Sequence, residues 1–294
     1  MHILITDSGV GGLSVCAYAE KFLRNHAFDE PVRLTYVNAS PENDFGYNSM
    51  GSKQEKLDNF DRFLDIVTDQ YAPDSIFIAC NTLSVLFQDT EFFKSEHVPV
   101  RGIVETGVTR LLRDLDRFPE STAVIFGTVT TIESQAYLNM LTSEGVLGAR
   151  IVSQACPSLA DTISEDRGGS KANASIRKYV CAAMEKKEAT ATSCLAYLAC
   201  THYGYRKGYF LSAFEESGIE TEILNPNEFV VDDLFGSARG NLLGPGEENH
   251  IDVEFVTRYR IPETALETIT FFLGDISPAT IRAFQDFTHA PDLF

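Results

Sequence analysis

Positive charge is scarce in this chain. Its 294 residues hold 24 Lys+Arg against 42 Asp+Glu, a formal net charge of −18. Phosphate backbones are held by clustered Lys and Arg, so nucleic acid is excluded as the default partner. Anionic membrane surfaces are disfavoured for the same reason. Long apolar runs are missing too: no stretch approaches the roughly 18 uninterrupted apolar residues that span a bilayer. No basic segment leads into an apolar one at the N-terminus. His2-Ile3-Leu4-Ile5-Thr6 runs straight into Asp7, the pattern of a first strand and not of a signal peptide. Six cysteines are present, yet they form no Cys-x-x-Cys pair, and a chain of this length does not depend on disulfide staples. A cytoplasmic protein with free thiols is expected. What is plentiful is apolar surface: 44% hydrophobic residues are enough for a packed core. At roughly 100–200 residues per domain, the length suits one large or two modest domains.

Short apolar, β-branched or aromatic runs alternate with longer helix-like stretches. Strands are predicted at residues 2–6, 32–37, 75–79, 98–103, 122–126, 149–153, 194–199 and 221–224. Helices are predicted near 13–25, 52–70, 82–88, 105–117, 132–144, 171–187, 208–217 and 264–273. This alternation implies an α/β fold with parallel sheets covered by helices. Nearly continuous apolar runs such as Ile76-Phe77-Ile78-Ala79 fit strands buried on both faces. Residues 236–250 carry the composition of a loop.

Ligands of open α/β sheets bind at the carboxyl ends of strands. The turns that follow the strands are therefore where chemistry is expected: Ser8 to Gly12, Cys80-Asn81-Thr82, Gly127-Thr128 and Cys200-Thr201-His202. Two of them echo each other. Phe77-Ile78-Ala79-Cys80 parallels Tyr197-Leu198-Ala199-Cys200, each followed by two polar residues. The echo suggests two related α/β halves. A cysteine at a helix start has a lowered pKa and is a competent base or nucleophile. The plain alternative is that each is a buried small hydrophobe. Asn81, Thr82 and Thr201 would add side chains and N–H groups suited to a carboxylate ligand. Asp7 could orient or deprotonate a thiol, and His202 could polarise one. Asp7 to Gly12 lacks the spacing of a dinucleotide fingerprint and has no Walker lysine. Capping of an ordinary βα turn explains it equally. Cys200 and His202 could be half of a metal site, but no second such pair lies nearby. Cys16, Cys181 and Cys194 fall inside predicted helices or strands and are expected to pack. Asp44-Phe45-Gly46-Tyr47 is either a ligand loop or a turn.

Taken together, these segments resemble the cofactor-independent aspartate/glutamate racemase family, and within it most closely the glutamate racemases. The matching strings are Ile5 to Val15 (ITDSGVGGLSV), Ala79-Cys80-Asn81-Thr82, Gly127 to Thr131 with Ser134 and Tyr137, Ala155-Cys156-Pro157, and Cys200-Thr201-His202-Tyr203. They cover the chain from residue 3 to about residue 210. Beyond Leu273-Gly274 the chain resembles a private extension, whose Phe284, Phe287 and Phe294 could cover its own surface or a partner's.

The resemblance implies two similar three-layer α/β domains, 1–98 plus 211–294 and 99–210, with the active site in the cleft between them. It implies no cofactor and no metal. Cys80 and Cys200 match the two catalytic cysteines, with Asp7 beside the first and His202 beside the second. Ser8, Asn81, Thr82 and Thr201 match residues that hold the amino acid, and Phe45 and Gly46 fall at the substrate loop. The implied reaction interconverts L- and D-glutamate by two-base α-proton abstraction and return, supplying D-glutamate for peptidoglycan. There are departures. The usual Pro-Tyr-Gly is Asp44-Phe45-Gly46, an expected Asp aligns with Ala39, and another acid is replaced at Asn225-Pro226. The Glu that assists the second thiol is represented at nearest by Asp161 or Ser164. Aspartate or a related acid therefore stays open as substrate, as does a non-catalytic binder of acidic metabolites. Oligomeric state is open as well, a homodimer included. No basic side chain occurs in any matching motif, so substrate capture must rely on short-range N–H groups within a repelling overall field.

Overall fold

The computed structural model describes residues 1–28, 30–43, 45–95, 98–187, 192–236 and 249–294. The chain divides into two compact units, Met1–Ile103 with Asn227–Phe294, and Val104–Pro226. Both are α/β with parallel strands, as the alternation of short apolar runs and helical stretches implies.

The first unit contains β1 (His2–Asp7), β2 (Val32–Asn38), β3 (Ser75–Ile78) and β4 (Val100–Gly102). The second contains β5 (Ser121–Gly127), β6 (Ile151–Ala155), β7 (Ser193–Ala199) and β8 (Glu220–Leu224). Two further strands, β9 (Ile251–Thr257) and β10 (Thr288–His289), return to the first unit. Its sheet has the order β10-β9-β2-β1-β3-β4, and the other sheet has the order β6-β5-β7-β8. Within each unit the first four strands in chain order are thus arranged 2-1-3-4. The four-residue echo in the sequence is the visible trace of this repeated topology. β5 is buried along its whole length and β1 along all but His2, which is why their sequences are runs of apolar residues without alternation.

Helix boundaries follow local chemistry. Leu13–Asn25 starts directly after the glycine turn. Lys53–Tyr71 is capped by Ser52, whose side chain accepts the Glu55 N–H, while Glu55 Oε2 accepts the Gly51 N–H. The predicted helix over 132–144 is instead two helices, Val129–Glu133 and Ala136–Ser143. Gln135 breaks them apart by adopting a left-handed backbone, φ 56°.

At the C-terminal side one domain bound is revised, one strand is added and one open alternative is decided. Residues 211–226 pack in the second unit, because β8 pairs along β7 from Ser193↔Glu220 to Tyr197↔Leu224. The composition did not point to β9, which pairs with β2 from Val32 to Val37. The extension after Gly274 covers the chain's own first unit. Phe284 is fully buried with its ring edge-on to Phe255 at 5.1 Å, and Phe287 meets the same ring at 6.5 Å. Phe294 meets Phe63 edge-on at 5.2 Å, under the Arg258 guanidinium at 4.6 Å. Of the predicted loop 236–250, residues 237–248 lie outside the described residues, as does Asp44 of the 44–47 motif. Among the described residues, no helix is long and apolar enough to cross a membrane.

Candidate active site

In a 2-1-3-4 arrangement, β1 and β3 are neighbours that leave the sheet centre in opposite directions, which opens a crevice at their carboxyl ends. Cys80 sits there in the first unit. It follows β3 after Ala79, whose N–H bonds the Thr6 carbonyl at 2.8 Å, and it is the N-cap of the helix Asn81–Phe87. Asp7 ends β1 and is 1% exposed. Ser8 joins the two: its Oγ lies 3.1 Å from Cys80 Sγ and 3.4 Å from Asp7 Oδ1. Asn81 and Thr82 are buried in the first turn after the thiol.

The glycine turn is demanded by this crowding. A Cβ at Gly12 would lie 2.7 Å from Asp7 Oδ2 and 3.0 Å from Ala79 Cβ. Gly12 therefore lets the following helix start against the acid.

Cys80 is 6% exposed, and its thiol is pushed up to about 12. Burial is the largest cause, and the Asp7 charge adds to it. Opposing them are hydrogen bonds from the Ser8 hydroxyl and from the backbone N–H groups of Leu83 and Ser8. The sulfur is thus held protonated in a place that already carries donors for a thiolate.

The second unit has the equivalent position. β7 neighbours β5 with Gly127 opposite Ala199, so Cys200 follows β7 as Cys80 follows β3. The Cys156 N–H bonds the Gly127 carbonyl at 2.9 Å, as the Ala39 N–H bonds the Asp7 carbonyl at 2.8 Å. Gly127 and Asp7 therefore occupy corresponding places, and the second unit has no side chain where the first has its acid. Its polar group comes from the same turn as the thiol. His202 Nδ1 lies 3.9 Å from Cys200 Sγ. Burial lowers His202 to about 4, so the imidazole is neutral near pH 7. Cys200 is 6% exposed and Thr201 2%. Thr128 caps the helix Val129–Glu133, accepting the Thr131 N–H at 3.2 Å.

The sites of the remaining candidates are less central. Phe45 is exposed and Gly46 half-buried in the segment after β2. A Cβ at Gly46 would meet only Ser40 Oγ at 3.5 Å, so glycine is not sterically required. Asp161 lies in the first turn of Leu159–Glu165, where partial desolvation of its carboxyl and then the nearby Glu165 charge raise it. Cys194 and Cys16 are buried within β7 and the helix Leu13–Asn25, whereas Cys181 is exposed. Among the described residues no cluster of His, Cys, Asp and Glu is arranged to hold a metal.

Two tyrosines belong to the quoted motifs but were given no role of their own. Tyr203 is fully buried beneath the second thiol turn, its hydroxyl donating to the Cys156 carbonyl at 3.3 Å. Its pKa lies well above the ordinary value, through burial and then the charges of Cys200 and Cys156. Tyr47 is fully buried on the Cys80 side of the first unit. For Tyr203 the signals were its place in the string Cys200-Thr201-His202-Tyr203 and its position just after a strand-end cysteine. For Tyr47 the signal was a polar aromatic beside a glycine.

The fold and these turns define a two-unit α/β protein with one cysteine at an equivalent strand end in each unit. Its curated homologues carry the name glutamate racemase. The Helicobacter pylori (strain J99) glutamate racemase is 30% identical over 148 residues, 50% of this chain and 53% of that protein. The chain thus spans about half the length of such relatives. The Campylobacter jejuni glutamate racemase is 28% identical over 241 residues, 80% of this chain and 84% of the relative. The solved C. jejuni glutamate racemase structure superposes with a TM-score of 0.68 at 23% identity, covering 93% of this chain and 98% of its own. The Francisella tularensis glutamate racemase in complex with D-glutamate gives 0.70 at 20% identity, covering 92% and 93%. The fold is therefore that of the glutamate racemases. No family model matches the chain.

Proposed function

We propose that the chain is a cofactor-independent glutamate racemase, an isomerase that inverts the α-carbon of glutamate. The observation that carries this reading is the pair of equivalent strand-end thiols with unlike neighbours, Asp7 and Ser8 at Cys80 and His202 at Cys200. Inversion needs a base on one face of the α-carbon and an acid on the other. Two identical thiols can divide those roles only if one is a thiolate while the other is protonated, so their surroundings must differ.

In this mechanism a thiolate takes the α-proton, leaving a carbanion next to the substrate carboxylate. The other thiol returns a proton to the opposite face and becomes the thiolate, so charge and protons balance. Asp7 accepts the Cys80 proton through Ser8 or holds it in place, and the neutral imidazole of His202 does so for Cys200. The carbanion is stabilised by fixed dipoles, with N–H groups and side chains of Ser8, Asn81, Thr82 and Thr201 as the donors. Phe45 and Gly46 bound the substrate. A D-glutamate complex of a fold neighbour supports an amino-acid ligand for this architecture. The product would supply D-glutamate for peptidoglycan, and reduced thiols would suit a cytoplasmic setting.

Proton NMR of the protein in D2O with L- or D-glutamate tests this directly. Loss of the α-proton signal with appearance of the other enantiomer is expected, without added cofactor. The same measurement with aspartate identifies the substrate. Cys80→Ala and Cys200→Ala should each abolish racemisation, while one enantiomer can still exchange its α-proton. Full activity in either variant would sink the two-base mechanism, and binding of glutamate without exchange would make the protein a metabolite binder.

A further inference from the structure

Most carbonyls of the glycine turn after β1 are fastened by the helix that follows. Those of Val10, Gly11 and Gly12 accept N–H groups of Leu13, Ser14, Val15 and Cys16, and the Ser14 hydroxyl also donates to Gly11. The Gly9 carbonyl is held differently. It accepts the Tyr36 hydroxyl, which comes from β2, at 2.7 Å. Tyr36 is fully buried. Its ring stacks on Phe255, its register partner in β9, at 5.1 Å with 10° between the planes. Phe284 of the C-terminal extension meets the other ring of that pair edge-on. A phenylalanine at position 36 would fill the same space and keep the stacking, so packing alone does not call for the hydroxyl.

We infer that Tyr36 is a positioning residue, whose hydroxyl fixes the Gly9 carbonyl and thereby keeps Ser8 against the Cys80 sulfur. Gly9 follows Ser8 directly, and glycine has the freest backbone of any residue. Unanchored, the Ser8-Gly9 stretch could turn between the fixed end of β1 and the fixed start of the helix. The anchor is itself rigid, because Tyr36 lies between Ile5 of β1 and Phe255 of β9 in the sheet. What the anchored turn delivers is a pair of donors to one atom. The Ser8 hydroxyl lies 3.1 Å from Cys80 Sγ, and the Ser8 backbone N–H bonds the same sulfur. Both favour the thiolate, and hydrogen bonds to an ionised acceptor are roughly twice as strong as neutral ones. The part of this hold in turnover rests on the proposed racemase mechanism, in which Cys80 ionises.

Tyr36→Phe removes the hydroxyl and keeps the ring. The readout is the rate at which methyl methanethiosulfonate modifies Cys80 between about pH 8 and 9, followed by mass spectrometry of the Cys80 peptide. That rate tracks the thiolate fraction and also access to the sulfur. The substitution is therefore made twice, in the unaltered protein and in Ser8→Ala, where a change of access appears in both and cancels. With Ser8 present, Tyr36→Phe should slow modification about threefold more than it does in Ser8→Ala, matching about 0.5 pH unit in the thiol. A merely structural tyrosine would change the rate by the same factor in both backgrounds, and equal factors overturn the inference, whatever the racemase activity. Near-ultraviolet circular dichroism checks that all four proteins are folded. Racemase kcat should also fall about threefold in Tyr36→Phe, and an unchanged kcat would strip the residue of any part in turnover. Absence of α-proton exchange in the unaltered protein would instead defeat the racemase reading, and the thiol comparison stands apart from it.

Discussion

Replacing His202 by Asn should blunt the response of stability to mild acid. The folded imidazole titrates at about 4 instead of 6.5, because burial disfavours its charged form. Between those values the unfolded chain takes up a proton that the folded chain refuses. This contribution to stability is fully present above pH 6.5 and is lost as pH falls through about 4. At about pH 5.5 the unfolded imidazole is roughly nine-tenths protonated and the folded one only a few per cent, so about 1.4 kcal/mol has been lost. That pH also stays clear of the sequence pI of about 4.7. The assay is urea unfolding of both proteins near pH 8 and near pH 5.5, supported by NMR titration of the His202 ring. The unaltered protein should lose about 1.4 kcal/mol more than His202→Asn over this interval. Equal losses, or a ring that protonates near its ordinary pKa, would refute the neutral imidazole. The consequence for chemistry is direct. A neutral ring with Nδ1 3.9 Å from Cys200 Sγ can accept the thiol proton, whereas an imidazolium could not.

Other outcomes follow from the packing. Gly12→Ala pushes a methyl group to 2.7 Å from Asp7 Oδ2, so the acid or the helix start must shift. Overpacking of this kind costs about 1–3 kcal/mol, and racemase kcat should fall while urea unfolding still shows a folded protein. Unchanged kcat would mean that Asp7 does not act on Cys80. Phe294→Ala, at a residue 5% exposed under Arg258, should cost about 3–5 kcal/mol in chemical denaturation. A loss below about 1 kcal/mol would show that the C-terminal extension does not seal the first unit.

Much of this protein was legible in the chain itself. Strand and helix alternation announced α/β, because strands buried on both faces must be continuous apolar runs and cannot alternate. The helix over 13–25 could be placed to the residue, since the glycine turn ends where its apolar periodicity begins. Cys80 and Cys200 stood out through their matched contexts, and the strand order 2-1-3-4 in both units gives the match a structural basis. β9 was harder to see, because Ile251–Thr257 mixes acids with apolar residues, as suits a strand only partly covered. The helix break at Gln135 was invisible for a different reason: no glycine or proline marks it, and the left-handed backbone is set by its surroundings.

The sequence by itself determined the class of fold, the pair of thiols and the scarcity of cations, because these depend on local pattern and composition. Only the tertiary structure decided what surrounds each thiol. Ser8 reaches Cys80 across 72 residues of chain, and Phe294 seals a core most of whose other members, Leu4 to Phe92, lie more than 200 residues earlier. Burial and proximity of this kind set whether a cysteine or a histidine holds its proton. They arise when distant segments pack and exclude water, which no local pattern records.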